Sequence, residues 1–224
     1  MALWLRPKRR DLIAMSIVLI GGVFAQVIIG AIVVLTGLNP YSNIAHFIVS
    51  IFLMTVAYML VRHAQIFRHT EEITPRAEPL LGKSPISMLV KILLIVTGVV
   101  VLTGTIVTGS GPHAGDEKAV RLGFSMTEVV RVHSTFVWLT LAIVVLLSIW
   151  VQRIDMAKRL LTKSTRRFIF ALLFQGVVGY LQYFLGVPIW LVAIHVATSV
   201  AVWLLAVDIY WNSRLSVVPQ TVLD

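Results

Sequence analysis

Six long apolar blocks dominate this chain: Leu12–Gly37, Asn43–Ala64, Met88–Thr108, Met126–Val151, Phe168–Val187 and Pro188–Tyr210. Each is near the ~20 residues that cross ~30 Å of hydrocarbon at 1.5 Å per residue. A helix that is apolar on every side must be surrounded by lipid or by protein. A chain that is 58% hydrophobic and 13% charged lacks the polar surface of a water-soluble fold of 224 residues. No run alternates with the two-residue period of a barrel strand, so the expected fold is all-α and polytopic. With no cysteine, thiolate metal sites, iron–sulfur clusters, covalent haem attachment and cysteine nucleophiles are excluded.

The connections pair the spans. Leu38–Ser42 is a tight turn, Gln65–Ser87 is polar and interrupted by prolines, and Gly186-Val187-Pro188 breaks an otherwise continuous apolar run. The chain reads as three helical hairpins, divided into a first hairpin at 12–64, a four-helix part at 88–210, and tails at 1–11 and 211–224. Sixteen lysines and arginines fall in the tails and even-numbered connections, against Lys118, Arg121 and Arg131 on the other side. The positive-inside rule therefore predicts cytoplasmic termini. It also accounts for the net charge of +9 without a nucleic-acid partner. The apolar run after Arg6–Arg10 continues to Leu35, too far for a signal peptide, so an uncleaved first span is expected.

The first and third hairpins repeat one another. Gln26, Gly30, Gly37 and His46 recur as Gln175, Gly179, Gly186 and His195 at a constant offset of 149 residues. Prolines mark both turns, at Pro40 and Pro188. Two hairpins of the same orientation imply a pseudo-twofold along the membrane normal. The middle hairpin carries its own intramembrane histidine, His133, so three imidazoles sit a turn or two inside the outer end of an even-numbered helix.

An imidazole in hydrocarbon is costly unless it is bonded or ligated. Either each histidine bonds a carbonyl on a neighbouring helix, or some of them ligate. Three at one depth, two of them repeat-related, favour ligation, and without cysteine or many intramembrane acids haem iron suits them better than zinc. Gly98, Gly104, Gly176 and Gly179 would let a flat macrocycle approach the backbone, or would serve helix packing. The segment Thr105–Asp116 holds Gly109, Gly111, Pro112 and Gly115. It reads either as an anion nest for carboxylates, with Lys118, Arg121 and Arg131, or as an ordinary turn. His113 within it is not expected to ligate, and Gln26, Gln175 and Gln182 face either a ligand or neighbouring helices.

Thr108-Gly-Ser-Gly-Pro-His-Ala-Gly-Asp116, followed by Val132-His133, resembles the haem A synthase family in its actinobacterial form. So do Val33–Pro40 and the hairpin Gln175…Tyr180–Phe184…His195. The resemblance extends over nearly the whole chain. It implies an enzyme of the bacterial cell membrane that oxidises a methyl group of haem O to the formyl of haem A for cytochrome oxidase assembly. Such proteins have eight helices in two pseudo-symmetric halves, and this chain would supply the equivalents of helices 3–8. By resemblance His133 and His195 are the axial ligands of a haem b, and His46 lies on the side of the substrate haem. Implied partners are the bilayer, an unidentified electron donor, and haem O synthase or cytochrome oxidase.

The family's first hairpin has no counterpart in these residues. Neither do its histidine, a nearby glutamate and a cysteine-bearing outer loop. Glu128 stands near His133 but not at the motif's spacing, so no residue is assigned a catalytic role. The expectation is either that the sequence begins late or that a diverged protein retains only the haem b half. Two other functions stay open: a non-catalytic b-type cytochrome or assembly factor, and a small transporter with histidines as proton or solute ligands.

Overall fold

A computed structural model describes residues 9–69, 81–82, 84–112 and 119–215, with the side chains of 66–69 excepted. It contains six helices: α1 (Arg10–Leu35), α2 (Pro40–His69), α3 (Pro85–Ser110), α4 (Met126–Val151), α5 (Asp155–Phe184) and α6 (Ile189–Ser213). All six are long and apolar enough to cross a membrane, and no strand occurs among the described residues. The chain is an all-α, multi-pass membrane protein.

Helix boundaries follow local chemistry. α3 starts at Pro85, whose missing N–H is no loss in a first turn, after Ser84 caps the N–H of Ser87 at 3.3 Å. α1 ends where Gly37 takes φ +64° and the Leu38 N–H reaches back to the Val33 carbonyl at 2.8 Å. α5 ends in the same way, with Gly186 at φ +76° and the Val187 N–H bonded to the Gln182 carbonyl at 2.8 Å. Both are six-to-one helix stops that need a left-handed residue, and they fall at equivalent positions of the repeat.

Three boundaries differ from the sequence expectation. α5 begins at Asp155 rather than Phe168, because no glycine or proline interrupts Asp155–Gln175 and Asp155 stands favourably in its first turn. The basic segment before Phe168 is therefore a helix extension and not a loop. α2 runs on to His69. α3 continues through Ser110 with Gly109 buried in it, so Thr105–Ser110 belongs to the helix and the expected glycine-rich turn starts only at Gly111. Residues 113–118, including His113, Gly115 and Lys118, lie outside the described residues.

The chain divides into two compact units, Met1–Thr74 with Ala114–Leu122, and Pro75–His113 with Gly123–Asp224. In the first, α1 packs along α2. Its basic end is tied by Asp11, which accepts from Arg9 at 2.5 and 2.9 Å and lies 3.2 Å from Nδ1 of His63 on α2. In the second, α3 packs on α4, α4 on α5, α5 on α6 and α6 on α3, a closed ring in which α4 and α6 are diagonal partners.

Packing in the four-helix unit is uneven along its axis. Its largest fully buried hydrophobic side chains, among them Phe168, Ile86, Leu93, Leu147, Leu161 and Ile209, all sit in the half nearest the basic segment. Hydroxyls in this apolar setting are satisfied one turn back, as in Thr97 to the Leu93 carbonyl and Thr140 to the Phe136 carbonyl. Cross-helix polar ties join Asn212 to Ser164 at 3.1 Å, and Trp138 to the Tyr180 hydroxyl at 3.1 Å. Outward, Ile95, Trp138, Phe170 and Val177 are exposed, which is the surface a bilayer solvates.

The stop after α5 gives a test. Gly186→Ala places a Cβ at a left-handed residue and should cost about 1–2 kcal/mol, seen as a lower unfolding temperature in detergent. Gly176→Ala, in mid-helix with nothing within 4 Å of the added carbon, should leave that temperature unchanged or raised.

Candidate functional site: three histidines seated on glycines

Each even-numbered helix places its histidine at nearly the same distance from its own first residue. His46 is the seventh residue of α2, His133 the eighth of α4 and His195 the seventh of α6. Each ring lies against a glycine of the preceding helix in its own hairpin. A Cβ built on Gly30 would stand 3.4 Å from Cε1 of His46. On Gly104 it would stand 3.2 Å from Cε1 of His133, and on Gly179 it would stand 3.2 Å from Cε1 of His195. Only Cε1 and Nδ1 come within 4 Å of the added carbon in all three pairs, so Nε2 is the nitrogen turned away from the glycine. The missing side chain is what lets the Cε1–Nδ1 edge of an imidazole come up against a helix backbone.

Gly104 and Gly179 are therefore filled by histidine rings rather than open to a macrocycle. Gly98 is covered by the Trp203 ring at 3.5 Å, and Gly176 meets nothing. The third seat, Gly104 under His133, was not seen in the sequence, because 29 residues separate that pair whereas 16 separate each of the other two.

The glutamines lock the repeat-related hairpins. Gln26 donates from Nε2 to the His46 carbonyl at 3.1 Å and contacts Ser50 Oγ at 2.5 Å. Gln175 donates to the His195 carbonyl at 2.9 Å and accepts from Thr198 at 2.6 Å. Both amides thus bond the neighbouring helix at the histidine's own backbone, fixing that helix's rotation. Ser50 and Thr198 are not at equivalent repeat positions, so the hydroxyl partner is supplied from one residue earlier in α6.

The middle hairpin holds its histidine differently. Val100 occupies the place of the glutamine, four residues before Gly104. Here Thr103 Oγ1 lies 3.1 Å from Nδ1 of His133. Thr103 Oγ1 also reaches the Val99 carbonyl at 2.8 Å and the Val100 carbonyl at 3.1 Å, and with its proton on that backbone its oxygen is an acceptor for Nδ1–H. In that tautomer the Nε2 lone pair is free. Sequence reading passed over Thr103, since a threonine inside an apolar helix ordinarily bonds only its own backbone.

Within the four-helix unit, His133 and His195 face each other from diagonal helices. Their ring centres are 6.5 Å apart and their planes are inclined at 72°. Imidazole nitrogens bind a metal at about 2 Å, and two imidazoles on opposite sides of one ion place their ring centres about 6 Å apart. The separation suits a shared ion without movement of either helix. Oε1 of Gln182 is buried with no hydrogen-bond partner among the described residues, and so is Nδ1 of His195 on the Gly179 side of its ring. Unsatisfied polar atoms of this kind are expensive, at about 1–3 kcal/mol each, and mark places where a bound group or water belongs. No large hydrophobic side chain is fully buried at this level. The residues present fit a haem held by two imidazoles.

In the first unit His46 is the one described imidazole at its level. His63 lies 17 residues further along α2, roughly 26 Å away, beside Asp11. Nδ1 of His46 and Oε1 of Gln26 are likewise buried without partners. Glu128 lines an open notch of about 260 Å³ with Thr103 and Val132, one turn and more from His133. Arg121 is half-buried and Arg131 exposed.

The chain matches no curated protein sequence and no solved structure. Residues 1–207 match the profile of the COX15-CtaA family, described as cytochrome oxidase assembly protein. Because that match covers most of the sequence, the chain belongs to the COX15-CtaA family of cytochrome oxidase assembly proteins.

Proposed function

We propose that this family member is a haem A synthase-type oxidoreductase of the bacterial cell membrane, with both termini cytoplasmic. It would oxidise the methyl group of haem O to the formyl of haem A. His133 and His195 would hold a resident haem b between α4 and α6, and His46 would face the substrate haem. The observation that carries this reading is the 6.5 Å separation of two imidazoles on diagonal helices.

When bound, haem b would supply one-electron redox chemistry to the reaction. The chain's own residues supply position. Thr103 keeps the proton of His133 on Nδ1, and Gly104 and Gly179 set the depth of the two rings. Gln175 prevents α6 from rotating His195 away. Two facing imidazoles suit a resident cofactor, and His46 stands apart from that pair on the hairpin α1–α2. Turning a methyl into a formyl removes four electrons from the carbon, so the reaction also needs a redox partner outside this chain. Haem O synthase and cytochrome oxidase are the proposed supplier and consumer.

A second reading, a b-type cytochrome or assembly factor without catalysis, rests on the facing pair His133 and His195 alone. Haem A formation separates the two. In a host that makes haem O but no haem A, expression of this chain should yield haem A in membrane extracts, and His46→Ala should abolish that yield. The reduced-minus-oxidised spectrum of purified protein should show a low-spin b-type band that survives His46→Ala and is lost in His133→Ala or His195→Ala. A band with no haem A would leave the cytochrome reading standing. No band in protein from haem-replete membranes would remove both.

Thr103→Val keeps the shape of the side chain and removes the hydroxyl that receives the His133 proton. Outer-shell partners of metal-bound histidines are typically worth about 10–100-fold in affinity. Haem titration of the variant should show weakening in that range. The midpoint potential should rise, because the ring becomes a poorer donor.

A further inference from the structure

α5 carries on one face a stripe that changes character partway along. Arg159, Lys163 and Arg166 are followed at helical spacing by Phe170, Phe174, Val177 and Leu181, and all of them are exposed. Arg166 lies 18 residues before the end of α5 at Phe184. That is about 27 Å along the axis, close to the ~30 Å of a hydrocarbon core. The guanidinium groups of Arg166 and Arg167 therefore stand at the level where the phosphates of one leaflet lie.

At this level the packing of α5 against α6 leaves an open notch of about 510 Å³, lined by Arg166, Arg167, Phe170, Ala171 and Leu205. Its volume is within the ~300–1,000 Å³ of small-molecule sites. Ala171 makes the recess, and Phe170 and Leu205 form its walls. The notch is unconnected with the histidines, since Leu205 lies ten residues, about 15 Å, beyond His195 on α6.

Charge identifies what fits. Asp155–Arg167 contains Lys158, Arg159, Lys163, Arg166 and Arg167, and its single acid is Asp155, three turns before the notch. Neither Arg166 nor Arg167 forms an ion pair or side-chain hydrogen bond among the described residues. Asp208 on α6, one turn past Leu205, is engaged elsewhere in the chain. Two planar guanidinium groups at the rim of an apolar recess match a phosphate joined to an acyl chain. The phosphate accepts paired N–H bonds, and the chain lies against Phe170 and Leu205. Basic pockets between membrane helices bind anionic lipid headgroups on the same principle. A free phosphate would leave the apolar walls uncovered, and a zwitterionic lipid would bring its own cation next to the arginines.

We infer that the notch between α5 and α6 is a binding site for one anionic phospholipid, its phosphate on Arg166 and Arg167 and an acyl chain on Phe170 and Leu205. The site is independent of what the histidines bind. It anchors α5 to α6 at the end of the bundle where the core is tightest.

The test uses the full chain in mixed phosphatidylglycerol and phosphatidylcholine membranes, extracted in mild detergent, with retained lipids read by native mass spectrometry. Wild-type protein should retain phosphatidylglycerol in preference to phosphatidylcholine. Arg166→Gln with Arg167→Gln should reduce that preference about tenfold or more. Lys158→Gln with Arg159→Gln removes the same charge away from the notch and should retain most of it. Circular dichroism of both variants should match wild type. Adding inorganic phosphate to wild-type protein should not displace the lipid. Equal retention of the two lipids, equal loss in the two double variants, or displacement by phosphate alone would each overturn the site.

Discussion

The contact on which this molecule turns is an imidazole lying on a glycine. Inside a bilayer there is no hydrophobic force to drive helix against helix, and close approach through small residues does that work. Gly30, Gly104 and Gly179 each give a histidine ring direct access to a neighbouring backbone. The ring is then held by its edge, with Nδ1 and Cε1 towards the glycine and Nε2 away. One hairpin thus sets both the depth and the direction of one imidazole. The arrangement is built three times, twice with a glutamine clamp on the histidine's carbonyl and once with a threonine on the ring itself.

That division bears on the inequality of the facing pair. His133 has the Thr103 hydroxyl 3.1 Å from its Nδ1, an oxygen able to accept that nitrogen's proton before any ligand arrives. His195 has none, and its backbone rather than its ring is restrained. The first resembles the outer-shell support usual for metal-bound histidines, in which the far nitrogen donates to an oxygen. The second leaves an unsatisfied nitrogen buried in the bundle. Two differently supported imidazoles give a site with one predefined and one adaptable side.

Much of this was legible in the sequence, and the reasons are specific. Helix number followed from apolar length, and the equivalence of Gly37 with Gly186 followed from a constant offset that the backbone reproduces with matching left-handed stops. The start of α5 was misplaced because hydropathy falls across Lys158–Arg167 while helix propensity does not. Periodicity in composition finds a span, but continuity of backbone bonding decides where a helix begins. Thr103 escaped notice for a different reason. Its hydroxyl serves the ordinary backbone bond to Val99 and the His133 ring together, and only the second has a bearing on the site. The glycines 98, 104 and 179 were legible as places of close approach, but what approaches is Trp203, His133 and His195, and that needed coordinates.

The two ends of the four-helix unit divide the demands on it. At the basic end Phe168, Leu147, Leu161 and Ile209 fill the interior completely, and any small-to-large change there meets a packed core. At the histidine end Gln175, Gln182, His133 and His195 bring polar atoms into the interior, and two of these are unsatisfied. A bundle that buried such groups along its whole length would be poorly held together in lipid. Confining them to one half lets the other half carry the stability, so the cost of a polar, incompletely bonded centre falls where α4 and α6 come within reach of one another.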